Sequence, residues 1–146
     1  MSYSDETEAD AYFAMKVNSD CWDAADSADK IVALNNATLI IDRLGFCGAV
    51  TTEGQANEFP RDGDTVVPED IKRANSEIAN ALIDGVDPDV EYENLKMISQ
   101  GYANVRSTYD RNDAQPHVLA GVPSVVAWQY LMPYLIDPRT IVLNRV

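Results

Sequence analysis

Apolar residues recur at steps of three and four along several stretches of this chain, the spacing that puts them on one helical face. The clearest stretch runs from about residue 26 to 44. Ile31, Leu34, Ala37, Ile41 and Leu44 form its stripe, Leu39 and Ile40 widen it, and Asn35, Asn36 and Asp42 lie off it. Asp26 or Ser27 caps its start, and Gly45 or Gly48 ends it. A helix this apolar is expected in the middle of the core. An earlier helix is predicted over residues 5–17. Ser4 is its candidate N-cap, and Asp5, Glu6 and Glu8 sit in the first turn, where the macrodipole favours acids. Ala9, Tyr12, Phe13 and Lys16 share one face of it. A third helix begins near Pro68, with Glu69 and Asp70 following, and presents Ile71, Ala74, Ile78, Ala81 and Leu82 until Gly85 and Asp87-Pro88 break it. The last helix spans roughly residues 123–135, with Val126, Tyr130, Leu131 and Tyr134 inward and Trp128 to one side. Pro133 inside it should kink or end it.

The connections carry other signals. Trp22 follows the first helix in a short turn and reads as a plug for the core, against a partner-binding hot spot. Residues 47–67 show no period and hold Gly48, Gly54, Pro60 and Gly63, so turns dominate. A loop this long is uncommon within a compact domain. It is expected to move on the surface or, preferentially, to order against a neighbouring subunit. Residues 94–109 read as a hairpin around Gly101, with Leu95 and Met97 on one side and Val105, Ser107 and Tyr109 opposite. Residues 110–121 read as a polar linker. The end, residues 136–146, is extended, and Thr140 to Leu143 is apolar and strand-forming. The expected fold is therefore mainly α: a small bundle of about four helices over residues 1–135, with a short β-hairpin and an extended C-terminal tail at 136–146.

Size and composition change this picture little. With 146 residues, the chain suits one domain with one core. No run approaches the length of a membrane span, and the acidic N-terminus does not resemble a signal peptide, so a cytosolic origin is expected. Cys21 and Cys47 match no metal or redox spacing and are expected to be buried thiols. Charge matters more. Acids outnumber bases 24 to 11, for a net −13. Nucleic-acid binders draw most of their affinity from basic patches, which this chain lacks unless its few bases cluster. An acidic surface instead suits a wall that DNA slides past, or simple solubility.

No catalytic set emerges. His117 is the only histidine, and it follows a proline in the polar linker, which fits an exposed or capping role. There is no nucleophile elbow and no nucleotide-binding glycine pattern. Asp62 and Asp64, and likewise Asp87, Asp89 and Glu91, are spaced like parts of calcium loops. Neither group has the full ligand set, so turn chemistry is the reading. No catalytic, metal or cofactor site is assigned, and no enzyme activity is expected.

The order of short motifs is more specific. Ala9-Asp-Ala-Tyr-Phe-Ala, Trp22-Asp-Ala-Ala-Asp and Lys30-Ile-Val-Ala-Leu-Asn-Asn-Ala-Thr are followed by Ile41-Asp-Arg-Leu and Gly45-Phe-Cys-Gly. After Gln55 come Phe59-Pro-Arg, Val67-Pro-Glu-Asp-Ile-Lys-Arg-Ala and Pro133-Tyr-Leu. Over about residues 9–135 this resembles the phage and prophage family often labelled DnaT-like single-stranded-DNA-binding protein, itself similar to head–tail adaptors of long-tailed phages. Phe59 departs from the family's usual Trp, and the tail beyond Leu135 has no general counterpart. The resemblance implies a structural virion protein made in the host cytoplasm. It would form a homo-oligomeric ring, typically of twelve copies, beneath the portal, and genomic DNA would pass through it to the tail. The implied partners are the portal protein and a tail or next-ring protein, with no membrane. The implied portal contacts are Arg139, Ile141, Leu143 and Arg145, and the implied neighbour or next-ring contacts are Phe59, Pro60 and Arg61. The alternative is single-stranded-DNA binding, for which Tyr102, Tyr109 and Trp128 could stack beside Arg106 and Arg111.

Overall fold

The computed structural model describes residues 1–95, 99–108 and 114–137. The architecture is mainly α, as the periodicity predicts. In chain order the elements are α1 (Glu6–Phe13), α2 (Asp20–Ala24), α3 (Ser27–Asp42), α4 (Glu69–Ile83) and α5 (Pro88–Asn94). There follow β1 (Ser99–Tyr102), β2 (Val105–Thr108), α6 (Pro116–Leu119) and α7 (Val125–Leu131), the last continued by a 3-10 turn over Met132–Tyr134. Each of the four expected helices is present. Three short ones, α2, α5 and α6, were not expected. Trp22 lies within α2 rather than in a turn, and it is the core plug anticipated, with no exposed surface. Asp87-Pro88 does not merely end α4. Asp87 caps α5 by accepting from the Asp89 N–H at 2.9 Å, and Pro88 occupies the first helical position.

The helix starts follow local chemistry. Asp5, not Ser4, caps α1: its carboxylate accepts from the Glu8 N–H at 2.8 Å, and the Glu8 side chain accepts back from the Asp5 N–H. Ser4 is buried instead, within hydrogen-bond distance of Ser76 and Asn75 on α4. Ser124 caps α7 by accepting from Ala127 N–H. Gly85 stops α4 with a positive φ of 87°. Pro133 ends α7 by converting its last turn to 3-10 geometry.

The central helix is α4, not α3. Helix α4 packs against α3, α7, α1 and α2, and Ile71, Ala74, Asn75, Ser76, Glu77, Ile78 and Ala79 are all buried on it. Its small residues let neighbours approach from several sides. The more apolar α3 lies at the edge. Its Leu34, Ala37, Ile40 and Ile41 point inward, while Ile31, Val32 and Leu39 are 48, 59 and 63% exposed. A polar network closes the α3–α4 seam. Thr38 on α3 bonds Asn75 on α4 at 3.0 Å, and Asn75 Nδ2 donates to Ser2 and Ser4. Tyr3 N–H donates to Thr38. These side chains are buried or half-buried, and satisfying them fixes the register between two helices and the N-terminal strand of chain.

The hairpin exists but is shifted. Ser99 pairs with Thr108 and Tyr102 with Val105, so the turn falls at Ala103 and Asn104, and Gly101 lies inside β1. Ala103 takes a positive φ of 51° there. Leu95 caps the end of α5 rather than starting a strand, and Met97 and Tyr109 lie outside the described residues. Within the expected linker, residues 116–119 form α6. Both cysteines are free and exposed, which corrects the buried-thiol expectation. The inward side of the short α2 is taken by Trp22, leaving Cys21 outward, and Cys47 lies on an open loop.

Candidate functional site

Between α3 and α4 the chain runs without regular structure, yet it is not loose. Phe59 is 4% exposed and sits edge-on against three other rings: Phe46 at 4.8 Å, Tyr134 at 5.7 Å and Tyr3 at 6.0 Å between centroids. Such edge-to-face pairs add to the area they bury. The Tyr3 hydroxyl donates to Asp42 and accepts from the Phe59 N–H. Burial, and then the Asp42 carboxylate, push this phenol well above its usual range.

Arg61 fastens the loop from outside. Its guanidinium donates to the carbonyls of Cys47 (2.9 Å), Gly48 (2.7 Å) and Glu58 (3.2 Å), and pairs with the Glu58 carboxylate at 2.5 Å. The Pro60 carbonyl accepts from Thr51 N–H and Gln55 Nε2. Asp62, at a φ of 57°, accepts from Ala49 N–H at 2.9 Å, and its carboxylate fills the space where a side chain on Gly48 would go. The loop is therefore ordered against its own domain, where the sequence reading preferred a neighbour. Phe59 faces inward, Pro60 is half-buried, and the Arg61 donors are engaged within the loop. Of the expected contact set, the outer edges of Pro60 and Arg61 are what the surface offers. Arg139, Ile141, Leu143 and Arg145 lie outside the described residues.

The same loop fixes where the C-terminal segment leaves. Cys47 N–H donates to the Tyr134 carbonyl at 2.9 Å, Ile136 N–H donates to Gly45 at 3.1 Å, and Phe46 and Leu135 form a bridge between them. Beside this exit, α6, the end of α7 and residues 135–137 enclose an open apolar groove of about 690 Å³. Leu119 and Met132 are more than half exposed on it, Ile136 is 45% exposed, and Trp128 is half-buried. The sequence reading missed this groove because α6 was taken for linker. Its one visible signal was Trp128 lying off the inward stripe.

Electrostatics divide the chain. Residues 1–95 hold 21 acids and 6 bases, and residues 96–146 hold 3 acids and 5 bases. Among the described residues, five of the seven bases are ion-paired: Lys16 with Glu77, Lys30 with Asp10, Arg61 with Glu58, Lys72 with Glu8, and Arg73 with Glu69 and Asp70. Glu77 is buried and also accepts from the Tyr12 hydroxyl at 2.6 Å. Burial and then Glu77 and Tyr130 push the Tyr12 phenol far up. Asp10 accepts from Trp22 Nε1 at 2.7 Å and from Lys30 at 2.9 Å. Lys30 above all holds the Asp10 carboxyl below its ordinary value.

Aromatic groups are mostly withdrawn as well. Among side chains that are described, Tyr92 is the exposed aromatic. The described residues thus present neither a basic groove nor a row of stacking rings. They also contain no group of three metal-ligating side chains, and no described helix is long and apolar enough to cross a membrane. Cys21 donates to Asp84 at 3.0 Å, which raises its pKa and keeps the thiol protonated. His117 lies half-buried in α6, where its carbonyl accepts from Val122 N–H.

No curated protein and no solved structure matches the chain. The family described as "Putative DnaT-like ssDNA binding protein" matches residues 1–136, nearly the whole length, and the chain belongs to that family.

Proposed function

We propose that this chain is a structural adaptor subunit of a tailed-phage particle: a protein that is clasped by other proteins and turns over no substrate. The observation that carries this reading is the make-up of the described surface. Its bases are largely neutralised by ion pairs, its acids are in excess, and large apolar side chains stand exposed on several elements. Two such places are Val32 and Leu39 on α3, and Leu119, Met132 and Ile136 around the groove. Two distinct sticky faces suit a heterologous ring, in which one face meets the other on the next copy. The acidic remainder suits a channel wall that DNA traverses without adhering. In this reading the ring, of the twelve copies that the resemblance implies, sits between portal and tail in the virion. The segment carrying Arg139, Ile141, Leu143 and Arg145 reaches the portal, and Pro60 and Arg61 edge the contact with a neighbour or the next ring.

The second reading, single-stranded-DNA binding, is the one the family description favours. A specific observation supports it too: residues 96–146 carry more bases than acids, including Arg106 on β2 and Arg111 beyond it. One pair of measurements separates the two. The adaptor reading expects light scattering to show a ring when the chain is mixed with a portal assembly, and no retardation of a labelled single strand at low salt. The DNA reading expects retardation that weakens with salt. With five bases available in that segment, the log–log salt slope would be no steeper than about −3.5. Retardation with such a slope, and no association with the portal, overturns the adaptor proposal.

A further inference from the structure

We infer that the outer face of α3 pairs with the same face of a second copy of this chain, antiparallel, about a two-fold axis at Asn36. Asp29, Val32, Asn36 and Leu39 are exposed on α3, and Arg43 is exposed at its C-cap. They follow one another at steps of three and four, the spacing of a helix–helix contact seam, and fall within about 80° of one another around the helix. In either direction from Asn36 the stripe runs to an apolar residue and then to a charge, and the two charges are opposite. Two open depressions lie beside it, where α3 meets the end of α4. One is lined by Ala33, Leu82 and Ile83 together with Asp29 and Val32. The other is lined by Ile40, Leu82 and Pro88 together with Leu39 and Arg43. Asn36 borders both.

Charge complementarity selects the partner and its direction. Neither Asp29 nor Arg43 forms an ion pair among the described residues, although five other bases do. Asp29 and Arg43 each lie seven residues from Asn36, so antiparallel pairing sets each Asp29 level with Arg43 of the second copy. Parallel pairing would set like charges together at both ends, which is unfavourable. The same symmetry sets Leu39 level with Ala33 of the second copy, and Val32 level with Ile40. Each exposed apolar side chain then enters one of the depressions. At the axis Asn36 meets Asn36, where each amide can both donate and accept, and a polar residue inside such a seam fixes its register. Asp89 lines the same depression as Arg43, so in the pair Arg43 stands between two carboxylates. The contact is isologous and closes at two copies. It is a property of the free chain, and the pair covers the α3 face until another partner takes it. Its failure leaves the adaptor reading standing, and the reverse holds too.

The test uses the full-length chain with Cys21→Ser and Cys47→Ser, which removes both exposed thiols. Asn36→Cys in that background should oxidise to a disulfide-linked dimer, because the axis brings the two sulfurs together. Asn35→Cys is also exposed but turned about 100° away, and it should link more slowly by about tenfold or more. Linkage at residue 36 no faster than at residue 35 overturns the inference. Sedimentation velocity without any added cysteine then reads the charges, with far-UV circular dichroism to show that each variant is folded. Arg43→Asp should weaken dimerisation about tenfold, since it sets carboxylates together at both ends of the contact. Asp29→Arg added to it should restore the dimer. An Arg43→Asp chain that dimerises as before, or a folded double variant that stays as weak, overturns the antiparallel pairing. An unsubstituted chain that stays monomeric at the highest concentration reached overturns the pair outright.

Discussion

Replacing Phe59 by alanine tests most directly whether the long loop belongs to its own domain. The ring is 4% exposed and touches three other aromatic rings at centroid distances of 4.8 to 6.0 Å. A buried Phe→Ala change costs about 3–5 kcal/mol, transfer and cavity terms together. Loss of edge-to-face pairs, worth about 0.5–1.5 kcal/mol each, places Phe59 toward the upper end of that range. Tyr3, Phe46 and Tyr134 come from the N-terminus, the end of α3 and the end of α7, so their positions are separately anchored. They cannot collapse fully into the space, which keeps the cavity term. A domain of this kind holds only about 5–15 kcal/mol in all. The assay is urea unfolding at neutral pH, followed by tryptophan fluorescence and by far-UV circular dichroism. With a slope of about 1–3 kcal/mol per molar, a loss near 4 kcal/mol lowers the midpoint by about 2 M. The slope should stay constant and the two probes should coincide. The change is expected in the monomer, at any protein concentration. A loss below about 1 kcal/mol is the range of surface substitutions and would refute the burial argument. It would return Phe59 to the surface role that the sequence suggested.

Four further outcomes follow from the same geometry. Gly48→Ala should destabilise by about 2 kcal/mol or more by urea titration, because its φ of 77° strains any side chain and the Asp62 carboxylate occupies the space. Gly54→Ala, with the same φ but open surroundings, should cost only about 1 kcal/mol. Glu77→Ala should cost about 3 kcal/mol by the same assay, since it strands the half-buried Lys16 ammonium and Tyr12 hydroxyl on the core. Asp10, held below its ordinary pKa chiefly by Lys30, contributes stability that is complete above the unfolded carboxylate value near ~4 and is lost as pH falls through the lowered folded value. Asp10→Asn should therefore flatten part of the acid limb of a stability-against-pH curve, and an unchanged limb would dismiss the coupling.

What the sequence made legible is the part governed by local periodicity. The four expected helices, α1, α3, α4 and α7 with its 3-10 extension, announce themselves through three- and four-residue spacing, and their ends through Gly85, Pro68 and Pro133. The short helices α2, α5 and α6 carry too few turns for a period to accumulate, so each passed for a turn, a break or a linker. Which helix lies at the centre depends on how many neighbours cover it. Helix α3 looks central because it is apolar. Helix α4 is central because Ala74, Asn75, Ser76 and Ala79 are small enough for four other helices to approach. The loop was misjudged for the same reason. Phe59 and Arg61 stood out as contacts, but Tyr3, Phe46 and Tyr134 take the ring, and Cys47, Gly48 and Glu58 take the guanidinium, all within the chain.

That result changes which surfaces remain for assembly. A loop fastened by Arg61 and Phe59 offers a neighbour only the outer edges of Pro60 and Arg61, so more of the burden shifts to groups the fold leaves exposed. Among those are Val32 and Leu39 on α3 and the groove at the C-terminal exit, which lie on different elements. On α3, Val32 and Leu39 are 59 and 63% exposed and seven residues apart, which puts them on one helical face. That face should associate when concentration rises. Leu39→Glu on α3 should raise solubility and abolish self-association, with little loss of stability because Leu39 is already 63% exposed. Sedimentation velocity of the two chains at matched concentrations checks this. Equal self-association would mean that α3 is not the contact.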